Sequence, residues 1–230
     1  MKTEIYNLII LDESGSMRCV WDQTISGCNE TIDTIKASQT KYAGEQEHYV
    51  SIFAFNANGF QPSRYLLKNV PASEAKDISR NDFQPNGCTP LYDAVGSTLV
   101  DLKAKVNSSE LAIGSVTIIT DGMENSSKHY TREQVALMID QLKEMGWNFS
   151  FIGANIDVKA TAASLNIDNH LEFQQTEEGT RQMFARERES RMAYTERLCC
   201  AMAEPSEDYE SASKETILKR FKKASKGYFG

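Results

Sequence analysis

Residues 9–17, Ile9-Ile10-Leu11-Asp12-Glu13-Ser14-Gly15-Ser16-Met17, set the reading of everything around them. An apolar run over residues 8–11 stops abruptly at an acid, and hydroxyls follow in the alternating pattern Asp12-x-Ser14-x-Ser16. A short apolar run without alternation fits a strand covered on both faces. Such a strand delivers its following loop to the carboxyl edge of a sheet, where open α/β sheets place their ligands. Oxygen-bearing side chains gathered there suit a hard divalent cation, Mg²⁺, Mn²⁺ or Ca²⁺. On its own, the loop reads equally as the cap of the next helix.

Working outward, Ile25, Cys28, Ile32 and Ile35 recur at helical spacing and predict a helix over residues 22–42, with Gly44 as its stop. Residues 49–55 read as a second buried strand, residues 63–68 as an antiparallel edge strand, and residues 73–78 as a helical turn. Leu91, Ala94, Val95, Thr98, Leu99, Leu102 and Val106 form a helical stripe. A fourth strand, 115–120, again ends at an acid, Asp121. Val135, Met138, Ile139, Leu142 and Met145 line another helix that Gly146 ends. Strand 148–153, helix 158–165, strand 170–173 and a long helix over 178–203 complete the pattern. Alternating strands and helices imply an α/β fold with a mainly parallel sheet and helices on both faces.

These elements make one domain, residues 1–203. Residues 204–230 read as a charged tail, partly helical or disordered, first acidic (Glu204, Glu207, Asp208, Glu210) and then basic (Lys214, Lys219, Arg220, Lys222, Lys223, Lys226). Within the long helix, Arg181, Arg186, Arg188, Arg191 and Arg197 alternate with Glu187, Glu189 and Glu196, the pattern of an exposed, salt-bridged face.

The 230 residues are 40% hydrophobic and 25% charged, an ordinary globular balance. A net charge of −7 is no electrostatic match for nucleic acid. The five cysteines contain no CxxC pair, which excludes zinc spacing and fits free thiols in a reducing cytoplasm. No apolar run approaches the ~20 residues of a membrane span. His48, His129 and His170 are scattered and read as surface or capping residues.

Two further loops belong with the first. In Gly87-Cys88-Thr89-Pro90, Thr89 has the chemistry of a helix N-cap and Pro90 that of a first helical residue. Thr120-Asp121-Gly122 follows the fourth strand directly. Together the loops supply two carboxylates, Asp12 and Asp121, and three hydroxyls, Ser14, Ser16 and Thr89. Because Mg²⁺ keeps several waters, the natural division puts the hydroxyls nearest the ion and the carboxylates behind them. Glu13, Met17, Glu124 and Asn125 flank these loops and are candidates for contact with a partner. Asn155 and Asp157 follow the fifth strand and suit a helix cap. No catalytic residue is indicated.

Asp12-x-Ser14-x-Ser16, then Thr89, then Asp121 resembles, at all five positions, the metal-ion-dependent adhesion site (MIDAS) of von Willebrand factor A-type (vWA) domains. The flanks Gly87-Cys88-Thr89-Pro90-Leu91-Tyr92-Asp93-Ala94 and Ile118-Ile119-Thr120-Asp121-Gly122 are similar too, as is residues 151–157, and the likeness covers residues 3–175. It is nearest to intracellular bacterial members that carry Asp-x-Ser-Gly-Ser-Met and Thr-Pro-Leu. The resemblance implies a doubly wound six-stranded sheet of order 3-2-1-4-5-6 with strand three antiparallel. It also implies a bound Mg²⁺ or Mn²⁺ and a protein partner whose acidic residue completes the coordination.

The expected function is thus a metal-dependent protein-binding module, an adaptor or scaffold rather than an enzyme. One alternative is a Mg²⁺-dependent, phosphatase-like hydrolase with Asp12 as nucleophile. Ser14 in place of a second acid, and the lack of a phosphate-binding GxxxxGK[ST] loop, argue against it. The other alternative is a structural metal anchor without a partner.

Overall fold

The computed structural model describes residues 2–58, 61–203 and 214–229. The acidic part of the expected tail, residues 204–210, lies outside them. The chain runs β1 (Thr3–Asp12), a 3-10 segment (Gly15–Val20), α1 (Trp21–Lys41), β2 (Gln46–Phe55), β3 (Arg64–Pro71) and a 3-10 turn (Ala72–Glu74). It continues with α2 (Leu91–Val106), β4 (Ala112–Thr120), α3 (Arg132–Glu144), β5 (Asn148–Gly153), α4 (Val158–Ser164), β6 (Asn169–Glu172), α5 (Glu177–Ala203) and α6 (Lys214–Ser225). The six strands form one sheet of order β3-β2-β1-β4-β5-β6. Every pairing is parallel except that of β2 with β3.

The central strand β1 shows why the sheet is covered twice. Side chains alternate across a strand, so Leu8 and Ile10 enter one core while Ile9 and Leu11 enter the other. Both sets are buried, which is why the sequence shows a continuous apolar run. Fully burying each such side chain stabilises the fold by about 1.5–3 kcal/mol. The first core takes the apolar stripes of α2 and α3; the second takes Cys28, Ile32 and Ile35 of α1 and Met183 and Phe184 of α5. Helix α3 opens with a capping box. Gln134 N donates to Thr131 Oγ1, and Thr131 N donates back to Gln134 Oε1. It closes at Gly146, whose φ of +86° suits glycine.

Three expectations change. The basic end of the chain is not a solvated tail: Phe221, Ala224 and Tyr228 are buried in the first core. The α6 segment packs against the amino ends of β5 and β6, with Ser225 Oγ donating to Gly146 O and Asn169 Nδ2 to Ser225 O. Lys219, Lys223 and Lys226 are exposed, whereas Arg220 turns inward and donates to Met202 O at 3.3 Å.

The long helix α5 is not a uniformly exposed face either. Arg191 and Glu187 are each 1% exposed. The Arg191 guanidinium lies across the sheet, donating to Asn7 Oδ1 at 2.7 Å, Thr117 Oγ1 at 3.0 Å and Glu187 Oε1. Finally, His48 is buried rather than superficial, its ring between Gln46 and Asn7.

Candidate metal site

The carboxyl ends of β1 and β4 bring Asp12 and Thr120 side by side. Asp12 is fully buried, and both its oxygens accept: Oδ1 from Ser14 N at 2.7 Å, Oδ2 from Thr120 Oγ1 at 2.6 Å. The chain then turns into the 3-10 segment, which carries Ser14 and Ser16 over the sheet edge. Their hydroxyls are 3.1 Å apart, and Ser16 Oγ donates to Asp121 Oδ1 at 2.8 Å. Four of the five expected residues therefore form one hydrogen-bonded group built from two neighbouring strand ends.

Thr89 joins them from the α2 side, and not as a helix cap. Helix α2 starts at Leu91 with Pro90 at the N-cap position. The amides left over at that helix start are satisfied from the β4–α3 loop instead. Tyr92 N donates to Glu124 Oε2 at 3.0 Å, and Asp93 N donates to Ser127 Oγ at 3.0 Å. Thr89 N donates to Asn125 Oδ1 at 2.9 Å, and Asn125 N donates back to Thr89 O at 3.2 Å. The Thr89 hydroxyl stands over Gly122, where an added Cβ would lie 3.5 Å from Oγ1.

The four residues expected to meet a partner have other tasks. Glu13 is fully buried and accepts from Arg64 Nη1 at 2.7 Å and Nη2 at 3.0 Å, from Asn56 Nδ2 at 2.6 Å and from Gln84 N at 2.6 Å. Met17 is 1% exposed and packs inward. Glu124 and Asn125 fasten the β4–α3 loop to the start of α2, as just described. Glu13 and Met17 are thus buried, whereas Asn125 is exposed beside the group together with Ser16, Cys88 and Met123, the last 73% exposed.

One residue at the site, Gln175, escaped the sequence reading, and Asn155, which suited a helix cap, supports it instead. Gln175, in the β6–α5 loop, donates through Nε2 to Asp121 Oδ2 and to Ser16 O. Asn155, after β5, donates through Nδ2 to Gln175 Oε1. Asp157 does cap α4, accepting from Ala160 N at 2.9 Å. Gln175 carries no charge and belongs to no local pattern, so only the approach of β6 to β5 reveals it.

Electrostatically the group is short of positive charge. Burial pushes the Asp12 carboxyl up to about 6 against the pull of its bonds from Thr120 and Ser14, and the Asp121 charge adds to the rise. Burial also raises Asp121, offset in part by Ser16. Among the described residues no Lys, Arg or His forms an ion pair with either acid. Nor do the described residues include a cluster of three His, Cys, Asp or Glu that could hold a metal. The donor set here is of another kind, two desolvated carboxylates fronted by hydroxyls, and it fits a hard cation with water in its shell. Desolvated negative charge without a partner is costly, and a divalent ion would offset it.

No family model matches the chain, and a comparison with curated proteins finds no match. Solved structures do match. A von Willebrand factor type A protein from Catenulispora acidiphila is similar at 16% identity and a TM-score of 0.57, over 83% of this chain and 43% of that one. The pilus adhesin SpaC from Lactobacillus rhamnosus GG, in its open conformation, is similar at 12% identity and a TM-score of 0.59, over 84% of this chain and 30% of that one. Proximal thread matrix protein 1 from the mussel byssus, solved with a zinc-occupied MIDAS motif, is similar at 12% identity and a TM-score of 0.51, over 80% and 44%. The chain therefore spans less than half the length of these proteins. At such identities the likeness establishes the fold: this chain has the vWA fold.

Proposed function

We propose that this chain is a divalent-cation-dependent protein-binding module, an intracellular adaptor or scaffold of the bacterial vWA type. The observation that carries the reading is the convergence of Asp12, Ser14, Ser16 and Asp121 in one hydrogen-bonded group that has no ion-pair partner among the described residues. Ser14, Ser16 and Thr89 would hold Mg²⁺ or Mn²⁺ through their hydroxyls, with Asp12 and Asp121 fixing those hydroxyls and balancing the charge. When bound, the ion supplies an electrophilic position that attracts a carboxylate from a protein partner. The vWA-fold proteins similar to this chain include an adhesin, which supports binding over catalysis. Hydrolysis fares poorly on the geometry, since a nucleophilic Asp12 would have to be reached by substrate, and it is fully buried with both oxygens engaged. No described helix is long and apolar enough to cross a membrane.

Calorimetric titration of the full chain with Mn²⁺ and Mg²⁺ tests the site. Asp12→Ala and Thr89→Ala should each weaken binding at least about tenfold, the scale of one charge-assisted contact, while circular dichroism stays native. Unchanged affinity in both variants rejects the assignment. Capture from lysate in Mg²⁺ against EDTA then tests the partner role; a stable, metal-loaded protein that retains nothing in Mg²⁺ is a structural anchor instead.

A further inference from the structure

Gln175 lies outside the five-residue pattern, yet it contacts the group more directly than any flanking residue. Its two amide hydrogens are spent on acceptors of the candidate site, Asp121 Oδ2 and Ser16 O. Its carbonyl oxygen accepts from Asn155 Nδ2. With Ser16 Oγ on Asp121 Oδ1, both oxygens of Asp121 are taken, one by a hydroxyl and one by an amide.

The backbone that presents this amide is held from both sides. Phe173 N donates to Gly153 O at 2.9 Å, which fixes the end of β6 to β5. Beyond Gln175, Thr176 starts α5: Gly179 N donates to Thr176 Oγ1 at 3.0 Å and Thr180 N to Thr176 O at 2.9 Å. Gly179 lets the loop lie flat against the helix, since a Cβ there would meet Gln174 O at 2.2 Å. The Gln175 side chain lies half-buried between a pinned loop and the sheet edge.

We propose that Gln175 is an intrinsic occupant of the site. Its neutral amide satisfies Asp121 and Ser16 when no cation is bound, and it gives way when a cation and an outside carboxylate enter. This rests on the metal-site reading above. A neutral amide donor partly offsets the negative charge of Asp121, whereas a cation does so fully. The amide therefore stabilises the cation-free state and competes with loading. Cation affinity is set by this competition, with Asn155 holding the amide in place from behind.

The test is Mn²⁺ titration of the full chain as wild type, Gln175→Ala, Asn155→Ala and Asp12→Ala, with thermal melts in EDTA and in saturating Mn²⁺. Gln175→Ala should bind Mn²⁺ about tenfold tighter, the worth of one hydrogen bond to a charged group. It should melt lower than wild type in EDTA and level with it in saturating Mn²⁺. Asn155→Ala should shift both readings the same way by less, and it decides the matter if Gln175→Ala does not fold. Unchanged or weaker Mn²⁺ binding, or an equal loss of melting temperature in both conditions, makes Gln175 a loop staple and overturns the proposal. Wild type that takes up no Mn²⁺, or Asp12→Ala that binds like wild type, overturns the metal-site reading and this proposal with it. Loss of binding in Asp12→Ala with no change in Gln175→Ala overturns the proposal alone.

Discussion

Thr120 Oγ1 donates to Asp12 Oδ2 at 2.6 Å, so the last residue of β4 holds the last residue of β1. The same hydroxyl accepts from Gly122 N at 3.2 Å, setting the turn that follows. Thr120 is fully buried. Thr120→Val keeps the shape and removes the donor, leaving a buried carboxylate oxygen unpartnered. The expected cost is about 1.5–3 kcal/mol, read as a lower urea midpoint with an unchanged slope.

Glu13 is the buried counterweight to Arg64. The pair is bidentate, at 2.7 and 3.0 Å, and the Glu13 side chain has no exposure. Arg64→Met strands that charge and should destabilise the protein by about 3 kcal/mol, as one-sided removal of a buried pair does. Adding Glu13→Gln to Arg64→Met should recover part of the loss in the same denaturation experiment. If the double variant is no more stable than Arg64→Met, the ion pair is not what holds this corner.

Gly27 sits in the middle of α1, where alanine favours the helix by roughly 1 kcal/mol. A Cβ there, however, would fall 2.1 Å from the Phe184 ring of α5, and Phe184 is buried and unable to move aside cheaply. Overpacking typically costs about 1–3 kcal/mol, so the clash wins. Gly27→Ala should lower the melting temperature, whereas Gly44→Ala, where an added Cβ meets nothing within 4 Å, should not.

His48 gives a pH dependence. Burial, and then the Arg191 charge, lower its pKa from 6.5 to about 3. Gln46, Asn7 and the Gln39 side chain that accepts from His48 N are its other polar neighbours. The unfolded chain takes up the proton first as pH falls. The stability contribution of neutral His48 is therefore complete above about 6.5 and is lost progressively down to about 3, at up to ~1.4 kcal/mol per pH unit. Asp12 acts in the opposite sense between 3.8 and about 6, but it is common to both proteins and cancels in a comparison. The stability of His48→Gln should fall less steeply than wild type between pH 6 and 4; parallel curves would contradict the buried, neutral ring.

The strands and the loops that carry Asp12, Ser14, Ser16 and Asp121 were legible because each lies in a contiguous pattern, whereas the sheet order followed only from the family resemblance. An apolar run ending in Asp12, or in Thr120-Asp121, is a local signal of a buried strand and its loop. The misreadings all hinge on partners distant in sequence. Glu13 looked like a surface flank because Arg64 is 51 residues away. Arg191 and Glu187 looked solvated because their acceptors and donors lie on β1, β4 and the chain end, where Tyr228 Oη donates to Glu187 Oε1 at 3.1 Å. Phe221, Ala224 and Tyr228 were hidden among lysines, and charge composition outvoted a sparse apolar stripe. Thr89-Pro90 followed cap chemistry, but Glu124 and Ser127 reached the helix start first.

The loops that frame the site are cross-tied through main-chain atoms. Glu13 N donates to Phe55 O, Asn86 N to Glu13 O, Gly15 N to Gly87 O and Ala57 N to Cys88 O, at 2.8–3.1 Å. Gly87, at φ +79°, fits this lacing because an added Cβ would approach Ala57 at 3.0 Å. Ties of this sort are indifferent to the identity of most side chains they join. The outward residues Cys88 and Met123 can therefore be exchanged wholesale while the hydroxyl loop keeps its place. The rim is in that sense replaceable, while the frame beneath it is fixed by its main chain.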